Sequence, residues 1–250
     1  MKKTALIILT MILVLAMGQS VLASNKVGLS LGYINHSGKK EVLTVENGYA
    51  YSGFLVSLSA NYYFNSNISI AAKANASFGK IQYSVASRNA ATYDTFEIDG
   101  HLFGRYDAFN VSMFTIAPQL GVIYNYNNST LQVSVPNIDP KIASHSVFVT
   151  PGFFVSANVS PKVNIYLDSK FPVFYFNSVS INDASPTNEN GFFKYFFYDL
   201  AIGGTYAIAP NFDLGIEATV SNSNSLSMYL LDAEYSSVEF SIGAKVEMKF

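Results

Sequence analysis

Apolar and polar residues alternate without a break at the end of the chain. Val238, Phe240, Ile242, Ala244, Val246, Met248 and Phe250 share one face, and Glu239, Ser241, Gly243, Lys245, Glu247 and Lys249 share the other. A period of two marks a β-strand with two chemically different faces. Phe54, Val56, Leu58, Ala60, Tyr62 and Phe64 alternate with Leu55, Ser57, Ser59, Asn61 and Tyr63 in the same way. Between Phe96 and Ala108, Phe96, Ile98, Leu102 and Tyr106 oppose Glu97, Asp99, His101, Arg105 and Asp107. Seven more segments follow the rule, at about 26–34, 68–81, 111–126, 145–158, 163–176, 193–207 and 212–221. Each lasts at least about the ~9–11 residues with which a tilted strand crosses a bilayer. Ten strands are therefore expected, with eight as the alternative count. The segment 145–158 is the least regular, because Phe153 and Phe154 make both faces apolar. Pro118 and Pro151 lack the N–H that a ladder uses, so a bulge is expected at each.

The charges keep to one phase. Lys73, Glu97, Asp99, Arg105, Asp107, Asp168, Lys170, Asp199, Asp213, Glu217, Glu239, Lys245, Glu247 and Lys249 all fall on polar faces, while Lys80 and Lys194 fall at strand ends. A charge facing lipid at mid-membrane costs about 2–4 kcal/mol, so this segregation is what a lipid-facing surface would select. Connections alternate too. Short ones are expected near Asn65–Asn67, Asp107–Asn110, Val159–Lys162 and Ala207–Asn211, and long ones over about 35–49, 82–93, 127–144, 177–192 and 222–236. In membrane barrels short turns face the periplasm and long loops face outside, which puts both termini of a ten-strand chain on the periplasmic side. A water-soluble sandwich would need polar outer faces, and these are too apolar and too aromatic.

Composition agrees. The 250 residues have 50% apolar and only 13% charged side chains, with 17 Tyr, 20 Phe, no Trp and no Cys, and a mean hydropathy of +0.23. That is too polar for a bundle of membrane helices and too poor in charge for an ordinary soluble surface. Residues 1–23 read as a cleaved signal peptide: Lys2 and Lys3, an apolar run from Ala5 to Met17, and the A-x-A-like Val21-Leu22-Ala23. The domain expected after cleavage is 24–250. Its 13 basic and 17 acidic residues, a net charge of −4, offer no basic patch for nucleic acid. No later segment is a transmembrane helix candidate, and lipid then leaves a closed barrel as the way to satisfy the backbone.

The signal ending Val21-Leu22-Ala23, the alternation of short turns and long loops, and the terminal strand Val238 to Phe250 together resemble the small bacterial outer-membrane β-barrel proteins, the broad OmpA/OmpX/OmpW-like group within the porin-family barrels. The resemblance covers the whole mature chain and is architectural. It implies an all-β, antiparallel up-and-down barrel in an outer membrane; no appended peptidoglycan-binding domain is expected after Phe250. It also implies that Phe250 belongs to a signal read by the barrel-assembly machinery. The chain departs from eight-strand members in having ten apparent strands.

Three sets of residues could carry function. Tyr33, Tyr62, Phe64, Tyr106, Tyr124, Tyr198, Tyr206 and Phe212 are expected in an aromatic membrane girdle with Phe78, Phe114, Phe196 and Phe250, since a Tyr ring suits the headgroup zone. Lys73, Glu97, Asp99, His101, Arg105, Gln119, Asp168, Lys170, Asp199, Glu217 and Lys245 are expected in the lumen, with Phe103, Phe154 and Tyr166 also inward. Mixed signs in a narrow lumen would pair and plug it, whereas an open pore more often carries rings of one sign. The expected function is a structural or surface-interaction barrel, with a narrow, weakly cation-preferring porin as the alternative. Glu97, Asp99 and His101 at i, i+2 and i+4 could form an acid/base or metal cluster, but a lumen hydrogen-bond network is the plainer reading. His36 and His145, with Glu41 and Asp139 nearby, match no catalytic spacing. No enzyme activity, cofactor or metal is expected. The partners expected are the lipid bilayer, the assembly machinery and an extracellular ligand at the Asn/Ser-rich loops. Intact mass of the protein from an outer-membrane fraction should correspond to a chain starting at Ser24; retention of Met1 to Ala23 would overturn the leader assignment.

Overall fold

The computed structural model describes residues 25–42, 45–85, 88–131, 141–182, 184–192, 199–223 and 236–250. The leader lies outside them, as do Lys194, Phe196, Tyr198 and parts of all five expected long loops. Thirteen strands are present: β1 (Lys26–Val42), β2 (Val45–Tyr63), β3 (Ile68–Val85), β4 (Arg88–Tyr106), β5 (Phe109–Val111), β6 (Phe114–Leu131), β7 (Lys141–Ser160), β8 (Val163–Lys170), β9 (Phe174–Ile181), β10 (Thr187–Phe192), β11 (Asp199–Ala209), β12 (Phe212–Ser223) and β13 (Ser236–Lys249). Ten form a closed antiparallel ring, β1-β2-β3-β4-β6-β7-β8-β11-β12-β13, in which β13 pairs back onto β1. β5 prolongs the β4 stave, and β9 and β10 prolong the β8 and β11 staves at the other end. The ten-strand reading of the sequence holds.

The register sets the shape of the barrel. Starting at His36, successive paired residues round the ring are Glu239, Ser221, Asp199, Lys170, Gly152, Gln119, Arg105, Ser69 and Tyr63. Since Lys26 pairs with Asn61, this line regains β1 about twelve residues below its start. Such a stagger in ten strands implies a tilt of about 40° and an interior narrow enough for side chains to fill.

Three expectations are corrected. The chain does not turn at Asp107–Asn110. Asp107 donates to Asn67 O at 2.7 Å and Ala108 to Ile116 O at 3.1 Å, so the stave bulges there and continues as β5. The turn comes at Ser112, whose φ is 54°, and Met113. Second, neither proline carries the bulge. The β6–β7 register runs unbroken past both. Pro118 falls between the last β4–β6 pair, Arg105 with Gln119, and the first β5–β6 pair, Phe109 with Ile116, so its missing donor interrupts no ladder. Opposite Pro151 it is the neighbouring stave that bulges: from Gly152–Lys170 to Val149–Phe174, three steps on β7 face four, and Phe171 and Val173 donate to Pro151 O and Val149 O. Third, the described residues of the expected loops 35–49, 82–93 and 177–192 are largely strand. β1 and β2 remain paired up to Val42 and Val45, and β3 and β4 up to Val85 and Arg88, because backbone groups pair whether or not the side chains alternate in polarity.

Outward positions are apolar and exposed on every ring strand, from Leu31 on β1 and Phe54 on β2 to Ile216 on β12 and Phe240 on β13. Ten residues of strand at ~3.3 Å rise and about 40° tilt span about 25 Å, the height of an apolar band. Inward positions alternate between bulky and small. A Cβ added at Gly203 would lie 2.4 Å from the Tyr166 ring, and one at Gly79 would lie 2.8 Å from the Tyr51 ring, so each glycine seats an inward aromatic of the adjacent or next strand. Ile216, 66% exposed near the middle of the band, gives a direct test. Ile216→Lys should cost about 2–4 kcal/mol in urea unfolding from vesicles. Asn211→Lys, in an exposed turn, should stay within about 0.5 kcal/mol.

Candidate functional site

The lumen gathers the charged side chains that alternation points inward. Near the short-turn end, Lys249 Nζ lies 2.7 Å from Asp213, and Glu247 is shared by Lys245 at 2.7 Å and Lys26 at 3.5 Å. Above this, Lys73 Nζ reaches Glu217 at 2.5 Å. These two sit on β3 and β12, four staves apart in a ring of ten, so their pair crosses the lumen. Tyr166 donates its hydroxyl to the other Glu217 oxygen at 2.5 Å, and Lys245 stands 3.9 Å from it.

A second knot centres on Asp168. Arg105 approaches it at 3.0 Å and Lys170 at 3.4 Å, while Gln119 donates to it from Nε2 at 2.5 Å and accepts at Oε1 from Arg105 Nε at 2.9 Å. Lys170 also pairs with Asp199 at 3.1 Å. The inward aromatics separate the knots. Arg105 lies 4.1 Å over the Phe154 ring, Lys245 5.1 Å over Tyr166 and Lys170 5.5 Å over Phe103. Phe154 stacks on Tyr166 at 5.9 Å. The apparent two-sidedness of Phe153 and Phe154 is thus resolved: Phe153 faces outward, and Phe154 supports a guanidinium.

Higher in the lumen the partners become neutral. Asn127 donates to Glu97 and Asn125 to Asp99. Ser77 donates to Glu97 at 3.4 Å and accepts from Tyr51 at 2.9 Å. Glu239 belongs to this acidic level, within electrostatic reach of Glu97 and Asp99. Above it lies an apolar cluster of Ile34, Tyr49, Tyr51, Ile81, Tyr93, Ile142 and Val179, with Leu55 packed against it. Burial is what holds these inward side chains together.

The side chains expected in the lumen are buried or half-buried. The arrangement differs from a catalytic one at His101. It shares a strand face with Glu97 and Asp99, but its Nδ1 is buried without a hydrogen-bond partner. Among the described residues no three acidic or histidine side chains converge as metal ligands. His145 stands on the outer wall, where its Nδ1 and Tyr124 Oη are 2.7 Å apart. Asp139 and the side chains of His36 and Glu41 lie outside the described residues. Of the girdle set, Tyr33, Phe64, Tyr106, Tyr124, Tyr206 and Phe212 are outward and exposed, and Tyr62 is half-buried against Phe64. Tyr198 is outside the described residues. Sequence reasoning missed the apolar cap, because Tyr49, Tyr93 and Ile142 fell in segments read as loop and Ile81 at the very end of one read as strand. It also missed the neutral donors Asn125, Asn127 and Ser77, whose only signal was their inward phase.

Breaking a buried pair on one side strands a charge, while removing both sides does not. Asp168→Leu should therefore cost about 3–5 kcal/mol in urea unfolding from vesicles, and Arg105→Met/Asp168→Leu appreciably less. A double variant as unstable as the single would show that the pair is not coupled.

No protein-family profile and no curated protein sequence matches the chain. Solved structures do. The outer membrane protease OmpT from Escherichia coli is similar with a TM-score of 0.62 and 11% identity, over 92% of this chain and 99% of that one. The transport unit of the autotransporter AIDA-I from Escherichia coli is similar with a TM-score of 0.51 and 12% identity, over 96% of each chain. At such identities the likeness is one of fold: the chain is built as a bacterial outer-membrane β-barrel.

Proposed function

We propose that this chain is exported, loses its leader near Ala23, and inserts in a bacterial outer membrane as a structural or surface-interaction barrel with a closed lumen. Phe250 then belongs to the strand that the assembly machinery reads, and the short turns and termini face the periplasm. The observation that carries the reading is the Lys73–Glu217 pair, which crosses the lumen and is joined by Tyr166 and Lys245. The Asp168 knot beside it and the apolar cap above add two further barriers. Ion pairs in a narrow lumen keep their counter-charges instead of presenting a ring of one sign to a permeant ion. Function then moves to the outer hairpins, where an extracellular ligand would be met.

One feature favours the alternative of a narrow, cation-preferring passage. At one level Asn127 bonds Glu97, Asn125 bonds Asp99 and Glu239 stands within electrostatic reach of both, and such an acidic level would attract cations once the cap opened. A catalytic reading gains no support from His101, and the proteolysis of OmpT is not carried over at 11% identity.

Single-channel recording of refolded mature protein in a planar bilayer separates the two. The expected result is a silent bilayer with protein whose gel mobility still shifts on heating. Steady discrete steps with cation preference, altered by Glu217→Gln or Lys245→Met, would establish a water-filled pore and overturn the closed-lumen proposal.

A further inference from the structure

We propose that the lumen holds one divalent hard cation of the Ca²⁺ or Mg²⁺ class, with part of its water shell retained, at the level of Glu97, Asp99 and Glu239. This rests on the closed-lumen reading above, since the ion is resident and not permeant. Glu97 and Asp99 share one face of β4, and Glu239 faces them from β13, four staves round the ring. The ion-pair knots lie on one side of this level and the apolar cluster on the other. Glu97, Asp99, His101 and Glu239 are enclosed on every side by protein, yet each keeps some accessible surface. A hollow therefore lies between them.

Two further side chains point to an occupant. Asn75 Oδ1 and His101 Nδ1 are buried without a hydrogen-bond partner. Asn75 is the register partner of Asp99, and His101 follows Asp99 on the same inward face. Asn75 Oδ1 is an acceptor, and so is His101 Nδ1 in the tautomer protonated at Nε2. A buried acceptor left unpaired is destabilising, and a polar hollow satisfies it with water or a ligand. Water alone would leave the carboxylates uncompensated. Asn127, Asn125 and Ser77, which bond Glu97 and Asp99, are neutral. The lysines facing this level, Lys73 and Lys170, are already bonded to Glu217 and to Asp168 and Asp199. A hydrated cation answers both needs. Its charge offsets the carboxylates, and its bound waters donate to Asn75 Oδ1 and His101 Nδ1.

Oxygen donors select a hard ion over a soft one. Among the described residues no three acidic or histidine side chains converge on one point, so the ion must keep water to complete its shell. Mg²⁺ characteristically does this with one or two carboxylates, and Ca²⁺ accepts amide oxygens and waters beside them.

The test refolds mature wild type and Glu97→Gln/Asp99→Asn in detergent micelles with CaCl₂, MgCl₂ or putrescine, each against EDTA. After gel filtration, metal per barrel is measured by plasma mass spectrometry and putrescine by liquid chromatography. One Ca²⁺ or Mg²⁺ is expected on the wild type, and about tenfold less or lower on the double variant. The heat-dependent gel shift should persist, because the amides keep the shape and remove the repulsion. Asp94→Asn, at an exposed position, should retain metal as the wild type does. A metal-free wild type, retention unchanged in the double variant, or putrescine held in place of metal would overturn the proposal, the last by showing an organic cation in the hollow. Glu239→Gln repeats the comparison if the double variant loses its gel shift. A silent barrel without metal would refute the ion and leave the closed lumen standing, whereas conductance steps would refute the closed lumen itself.

Discussion

Inside hydrocarbon, a backbone amide has no water to bond, so every strand needs a partner on each side. That constraint fixes most of this molecule. It requires the pairing of β13 with β1, which joins the two ends of the chain from Lys26–Lys249 to Lys39–Ser236. It also explains why departures from ideal strands are absorbed as bulges. At Asp107–Ala108 and at Phe171–Val173 the chain takes in an extra residue, yet the amides of Asp107, Ala108, Phe171 and Val173 still find carbonyls. Pro118 and Pro151 sit where a missing donor leaves a bulged neighbour, not a hole.

Closure creates an inside, and the inside imposes its own electrostatics. Charges kept out of lipid by a cost of about 2–4 kcal/mol each have only the lumen to enter. There they are short of water and need partners. Lysines and the arginine bond to carboxylates of other staves, and aromatic faces take up the remaining cation surface. A buried pair of this kind adds less stability than its short distance suggests, because desolvation offsets much of the attraction. Its stronger effect is on register: one residue of slip would turn Lys73 or Asp168 outward. Toward the end away from the short turns amides and hydroxyls replace the cations, and then apolar side chains replace both.

Alternation in the sequence determined the architecture. Side chains of adjacent residues point to opposite faces of a strand, so phase alone assigned Lys73, Arg105, Asp168, Lys170, Glu217 and Lys245 to the interior and Phe54, Tyr106 and Phe212 to the exterior. Ten strands followed from counting the segments. Pairing was not legible, because it depends on shear, a property of the closed ring. The line that brings Glu239, Asp199, Lys170, Gln119 and Arg105 round the barrel joins five strands whose sequence neighbours give no hint of it. The outer reach of β1–β4 was equally hidden. Beyond the apolar band polarity stops alternating while the backbone ladder continues. The sequence by itself therefore decided which side of the wall each residue occupies, since that depends only on parity. Only the tertiary structure decided which residues meet across the lumen, since that depends on how far the ring is staggered when it closes.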